Sequence, residues 1–476
     1  AGAVVKNLTL DASCTFTMAE TDNKQAFVVA TNAGTVSGVT NKASIDYTRA
    51  TDKPMQSRYF GTIVGYSTGL VSDCHNEGNI KITIPLLDYT TTSGNTYQHQ
   101  RVGGVVGVFK VESGVVGVTG CTNKGNITFN FNGVPSSSDD TYKQFRPHFA
   151  IGGVCAMAAN NGSAAKSSEA VNNGTIEQCT NSGAVKLYQD GINGSNYSNV
   201  GGVIGYLEGT IKECKNIATE RVSIEMKNAS TVKVSAPAVG GVVGTALKGD
   251  ILNCSNEGPV YITGYVQGGT NDAGYSGGDE KPAIGGVVAK AGAKAEDTTL
   301  KIQDCKNSGE VSGTVWNSNN IRMGGIVGWT SIPVVGTAAN TLENSGKVEL
   351  KSSTTFLTAY VGGVIGHSIS TCDKIYNTGN ITVNQKSPTD NQKAYVGGCA
   401  GYMSKAAGGV FKQAQNRGNV TVTSTSAKTV SNIGGCIGRG ESTSVTSNVL
   451  PVCIKRILSP TLTLPSTMRT ILTAPL

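Results

Sequence analysis

Short stretches in which apolar and polar residues alternate recur along the chain, as in Ile80-Lys81-Ile82-Thr83-Ile84 and Ile127-Thr128-Phe129-Asn130-Phe131. A period of two turns one face of an extended segment inward, so each stretch predicts a half-buried β-strand. A second pattern interrupts the alternation. It reads apolar, two residues, Cys, any residue, Asn, any residue, Gly, any residue, then Val or Ile, as in Val118 to Ile127. The apolar-to-Cys spacing of three requires a bulge or corner if both side chains are to point inward. Asn-x-Gly predicts the next corner, because both residue types tolerate left-handed backbone, and the equivalent asparagines are expected to stack as a ladder of amides. Apolar residues at helical spacing are missing from every long stretch. The Ala/Lys runs at Ala289 to Lys294 and Ser404 to Gly408 are short and lie beside glycines, so almost no helix is expected.

A third pattern is the most regular. An apolar residue, two glycines, two small apolar residues and another glycine stand at Val102 to Gly107, Val200 to Gly205, Val239 to Gly244, Met323 to Gly328, Val361 to Gly366 and Ile433 to Gly438. Close variants occupy Phe60 to Gly65, Ile151 to Ala156, Ile284 to Ala289 and Val396 to Gly401. The Gly-Gly pair reads as a strand where no side chain fits or where neighbouring backbone comes close. Successive copies lie 35 to 49 residues apart. Fixed motifs at a varying period mean fixed coils with loops of variable length, placed between the alternating strand and the next Gly-Gly and hence along one side of a stack. The expected fold is all-β, a right-handed parallel β-helix of about ten rungs over residues 1–448, with 449–476 as a C-terminal cap, linker or tail that carries four prolines and no repeat motif.

Composition agrees with many short strands joined by tight turns. Among 476 residues there are 62 glycines and only 15% charged side chains. The net charge of +7 is spread out, without the Lys/Arg block of a nucleic-acid footprint. No apolar run approaches the roughly 18 residues that cross a bilayer, and Ala1 to Ala12 lacks the plan of an export signal. No transmembrane segment and no nucleic-acid partner are therefore expected.

The three patterns together, over roughly Val4 to Gly438, resemble the GLUG-motif repeat of bacterial surface adhesins, a repeat also found in immunoglobulin A peptidases outside their catalytic domains. The resemblance implies a bacterial cell-surface or secreted β-helix scaffold and supplies no catalytic residues.

Candidate chemistry is sparse. Six of the twelve cysteines, Cys74, Cys121, Cys179, Cys214, Cys254 and Cys305, share one repeat position, which Leu342, Ile375 and Ala414 fill in later copies. That position selects a small apolar side chain, so free, stacked thiols are expected there, and Cys155, Cys399 and Cys436 on the Gly-Gly strand are expected to behave alike. The four histidines have no metal-ligand spacing, and His75 and His367 read as incidental members of the repeat. Asp88, Asp139, Asp140, Asp190, Asp272, Asp279 and Glu280 fall in the loops as solvated residues. No metal and no cofactor are expected.

The loops hold most of the aromatic residues outside the core pattern: Tyr89, Tyr97, Tyr142, Phe145, Tyr188, Tyr197, Tyr265 and Tyr275. Loops from successive rungs would lie side by side, and a tyrosine offers both an apolar face and a hydroxyl. These eight residues are the expected ligand-binding positions of a non-catalytic, adhesin-like protein that engages a glycan or a host surface protein. A polysaccharide-degrading β-helix enzyme and a passive spacer stalk for another domain remain open.

Overall fold

The computed structural model describes residues 2–19, 22–50, 57–85, 97–110, 116–132, 146–159, 174–189, 193–194, 198–226, 233–235, 237–267, 281–293, 297–316, 320–338, 341–352, 358–385, 393–404, 410–424 and 430–441. They form a right-handed parallel β-helix, without helix among the described residues. Each coil contributes one short strand to each of five parallel sheets, which hold 10 to 12 strands. In the coil that follows Gly69 the sheets are A (Leu70–Ser72), B (His75–Asn76), C (Ile80–Ile84), D (Tyr97–Gly103) and E (Val106–Phe109). Every strand pairs with its equivalent in the coils before and after, so that like residues stack on like.

The alternating stretches become sheet C. Ile80, Ile82 and Ile84 point inward and pack with the inward side chains of sheet D, such as Phe60 and Val102. A second apolar column lies between sheets E and A and includes the cysteine position of sheet B. Burying an aliphatic side chain of this kind contributes about 1.5–3 kcal/mol, repeated coil after coil.

Between these two columns runs a line of ten buried asparagines from Asn41 to Asn416. The amide of Asn123 donates to the side-chain oxygen of Asn181 at 2.8 Å and to the carbonyl of Gly125 at 2.8 Å, and its own oxygen accepts from Asn76 at 2.7 Å. The expected amide ladder is thus present. Satisfying both ends of a buried amide in this way avoids the penalty of about 1–3 kcal/mol for each unmatched polar group.

The corners differ from the expectation in one respect. The left-handed residue is the one just before the cysteine position, between sheets A and B: Asp73, Gln178, Glu213, Asn253 and Asp304 all have φ of 52–55°, and Gly120 has 63°. Asn-x-Gly is not left-handed. Its glycine is required by close stacking, since a Cβ on Gly125 would lie 1.9 Å from the carbonyl oxygen of Gly78 in the coil below. The corner before the cysteine is the one inferred from the spacing of three, and it turns both Val118 and Cys121 inward.

Loop length also varies in two places instead of one. Besides the connection from sheet C to sheet D, the path from E to A ranges from the single residue Gly209 to the stretch 159–174. The proposed tail, 449–476, lies outside the described residues.

Candidate functional site

Gly-Gly marks the corner between sheets D and E, and there the wall folds inward. A Cβ on Gly104 would stand 2.0 Å from the oxygen of Gly153 and 2.5 Å from the Asn123 side-chain oxygen. A Cβ on Gly107 would stand 2.8 Å from the backbone of Phe60. Glycine alone lets these backbones and the ladder meet. As a result the outward side chains of sheets D and E converge, and they line a trough parallel to the axis. Two motif positions supply them: the residue preceding apolar-Gly-Gly and the residue following the final glycine.

At one end of the trough Arg101 is fully buried. Its guanidinium donates to the carbonyl of His148 at 2.9 Å and lies 3.1 Å from the Met157 sulfur and 3.0 Å from Nδ1 of His99. The His99 and His148 rings meet edge to face at 5.4 Å. Burial, together with the Arg101 charge, pushes the His99 pKa down to about 3, so the ring is neutral and accepts from the guanidinium. Further along, Tyr206 donates to Glu208 at 2.9 Å and Thr245 to Asn199 at 2.6 Å. Ala238 and Ala283 then leave room that the Trp329 indole fills.

Towards the last coils the trough becomes aromatic. Tyr360 and Tyr395 stack in neighbouring coils of sheet D at 5.3 Å with an interplanar angle of 11°. His367 and Tyr402, neighbours in sheet E, lie 4.7 Å apart. Across the corner Tyr360 stacks on His367 at 5.2 Å and Tyr395 on Tyr402 at 5.6 Å. Four rings thus form a box with a cation at each end. Arg322 lies 5.9 Å from the Tyr360 centroid, and Arg439 lies over Tyr395 at 5.2 Å while donating to its hydroxyl at 2.8 Å. Tyr402 donates to Glu441, and burial followed by that carboxylate raises its pKa. Tyr360 and Tyr402 are half-buried and Arg439 is exposed, so ring edges, hydroxyls and a guanidinium reach the surface here.

The eight aromatic residues expected to bind ligand are not brought together by any described contact. Tyr188 stands on the outer face of sheet C, half-buried, opposite Asn130 and Glu225 in the neighbouring coils. Its pKa is raised, first by burial and then by the Glu225 charge. It is a strand residue, because the alternating stretch extends through Gln189. Tyr97 and Tyr265 also lie in strands, opposite Arg146 and Trp316. Tyr89, Tyr142, Phe145, Tyr197 and Tyr275 lie outside the described residues, as do the seven loop carboxylates. His367, expected to be incidental, is a wall of the ring box. The signal for the trough was available at the flanks of the glycine motif, where Tyr, Arg, Trp and His recur.

The cysteine column is as expected. Cys74 and Cys121 are buried, and their thiols donate to the carbonyls of Ser72 and Thr119 at 3.3 and 3.4 Å. No group of three or more metal-binding side chains occurs among the described residues, and no helix among them is long and apolar enough to cross a membrane.

A five-sheet coil with one internal amide ladder and one inward corner defines a β-helix repeat scaffold. The family model described as the GLUG motif matches residues 235–261, and the chain thus carries that motif. The match covers the part of one coil that runs from Gly240-Gly241 to Val260, and the strand register sets Val239, Gly240 and Asn256 opposite equivalent residues in the coils before and after. No curated protein and no solved structure matches the chain.

Proposed function

We propose that this protein is a non-catalytic, adhesin-like β-helix of the bacterial cell surface or of secreted material, and that it holds a glycan against its corner trough. The observation that carries the reading is the ring box: four aromatic side chains and Arg439 gathered where Tyr360, Tyr402 and Arg439 reach the surface. Stacked rings use their faces on one another, so recognition falls to ring edges, tyrosine hydroxyls and the guanidinium, groups that hydrogen-bond to sugar hydroxyls and carboxylates. The trough runs along the axis and suits a linear chain laid over several coils. Among the described residues the carboxylates there are isolated, Glu208 beside Tyr206 and Glu441 beside Tyr402, whereas glycoside hydrolysis uses a facing pair. A glycan array with the intact chain, followed by analysis of the bound sugars, tests the reading. Binding without cleavage that is lost in a Tyr360→Ala/Tyr402→Ala variant supports it. Product formation replaces it with the enzyme, and an array without any bound glycan replaces it with the spacer.

A further inference from the structure

The position after Gly-Gly points into the sheet E and A column and is filled by Val or Ile in most coils, but by cysteine in the last two, Cys399 and Cys436. The register of their neighbours, Gly397 with Gly434 and Ala400 with Ile437, sets them directly one above the other. The amides of Cys399 and Ala400 both donate to the carbonyl of Cys436, at 2.8 and 2.9 Å. Neighbours bonded in this way have Cα atoms about 4.8 Å apart, inside the range of about 4.4–6.8 Å that a disulfide spans. Each thiol shifts the ionisation of the other, Cys399 upward and Cys436 downward.

The cysteines of sheet B are stacked as closely, yet their setting differs. Cys121, Cys179, Cys214 and Cys254 are buried, with a described coil on both sides, so drawing two sulfurs together to about 2 Å works against coils held from above and below. Cys436 is half-buried. The strand that follows it, Ile437–Gly440, has one neighbour among the described strands, Ala400–Met403, and its last two residues are exposed. Cys436 is thus the half of this pair with surface that a reagent can reach.

We propose that Cys399 and Cys436 form an oxidisable pair that closes to an inter-coil disulfide on meeting a small disulfide such as oxidised glutathione. The thiolate of Cys436 attacks one sulfur of the reagent, whose S–S bond breaks and whose other half leaves as a thiolate and takes up a proton. Cys399 then gives up its proton, attacks the Cys436 sulfur and expels the second glutathione. The two protein thiols lose two electrons and two protons, and the oxidised glutathione becomes two reduced molecules. The hydrogen bond from Cys399 brings the Cys436 pKa down to about 7, which supplies thiolate at neutral pH. The inference does not depend on the ligand of the trough.

The test is to equilibrate the native full chain with oxidised glutathione at pH 7.5, block free thiols, digest with trypsin and map the peptides without reduction. The expected product joins peptides 394–405 and 429–439, with no cross-link among Cys74, Cys121, Cys179, Cys214, Cys254 and Cys305. In Cys399→Ser the reaction should stop at a stable glutathione adduct on Cys436, and in Cys436→Ser neither a cross-link nor an adduct should form. The proposal is overturned if both peptides are recovered singly blocked, if the wild type also stops at the adduct, or if the sheet B thiols cross-link first.

Discussion

The asparagine ladder and the corner trough run side by side through the same coils, separated by one glycine backbone, and they obey opposite rules. Along the ladder every coil from Asn41 to Asn416 carries the same side chain, because each amide must both donate to and accept from its equivalents. Along the trough the two equivalent positions hold Tyr59 and Tyr66 in one coil, Arg101 and Val108 in the next, Ala283 and Lys290 further on, and Tyr395 and Tyr402 near the end. An internal column admits only what the neighbouring coil can match. An external column in a concave corner need only be filled, so it is there that one coil can differ chemically from another.

This contrast can be broken most forcefully at the glycine between the two. A Cβ on Gly241 would stand 2.0 Å from the Gly286 oxygen and 2.3 Å from the Asn256 amide carbon. Gly241→Ala should cost about 4 kcal/mol or more and be visible as a large drop in denaturation midpoint. A midpoint equal to that of the wild type would mean that the corner is not tight.

Alkaline pH probes the interior next. Burial leads in raising the thiol pKa of Cys155 and Cys372, each to about 12, against about 9 for an exposed thiol. Since the folded values are the higher ones, this stability is fully present below pH 9. It falls as the unfolded chain ionises, by about 1.4 kcal/mol per thiol between pH 8 and 10, and is exhausted near pH 12. Urea titrations at pH 8 and 10 measure the fall, and Cys155→Val/Cys372→Val should flatten it.

Asn181→Ala comes third. It leaves one of the two donors of the Asn123 amide and the Asn216 oxygen unmatched, at a cost of about 2–3 kcal/mol by chemical denaturation. The trough should respond least in stability. Tyr402→Ala at a half-buried site should cost about 1 kcal/mol while abolishing glycan binding; a change that damages the fold as much as Asn181→Ala does would place the ring box among the internal ladders.

Much of this architecture could be read along the chain. Ile127-Thr128-Phe129 revealed its buried face by alternation, and the cysteine position revealed its packing because Leu342 and Ile375 replace sulfur there. The asparagine ladder was legible because Asn recurs at a fixed place in each motif. The corner was not. Whether a Gly-Gly strand bends outward or inward depends on what its missing side chains would strike, and those atoms belong to the next coil, as Gly153 does for Gly104, or to the ladder asparagine across the coil, as Asn123 does. Without the bend, Tyr360 and His367 are a tyrosine and a histidine seven residues apart, and with it their rings stack. Tyr188 was misplaced for a simpler reason: its strand runs one alternation further than the shortest copies.

The side-chain ladder also has a sense. Every link runs the same way, with the amide nitrogen of one coil pointing to the oxygen of the next, from Asn41 towards Asn416. Nine aligned links polarise one another, as peptide dipoles do in a helix. The two ends are therefore unlike. Asn41 presents a buried oxygen that no donor meets, beneath Leu10, while Asn416 spends its nitrogen on the Gly418 carbonyl. The stack is a rod with a negative and a positive pole, and a coil added at one pole faces a different electrostatic demand from a coil added at the other.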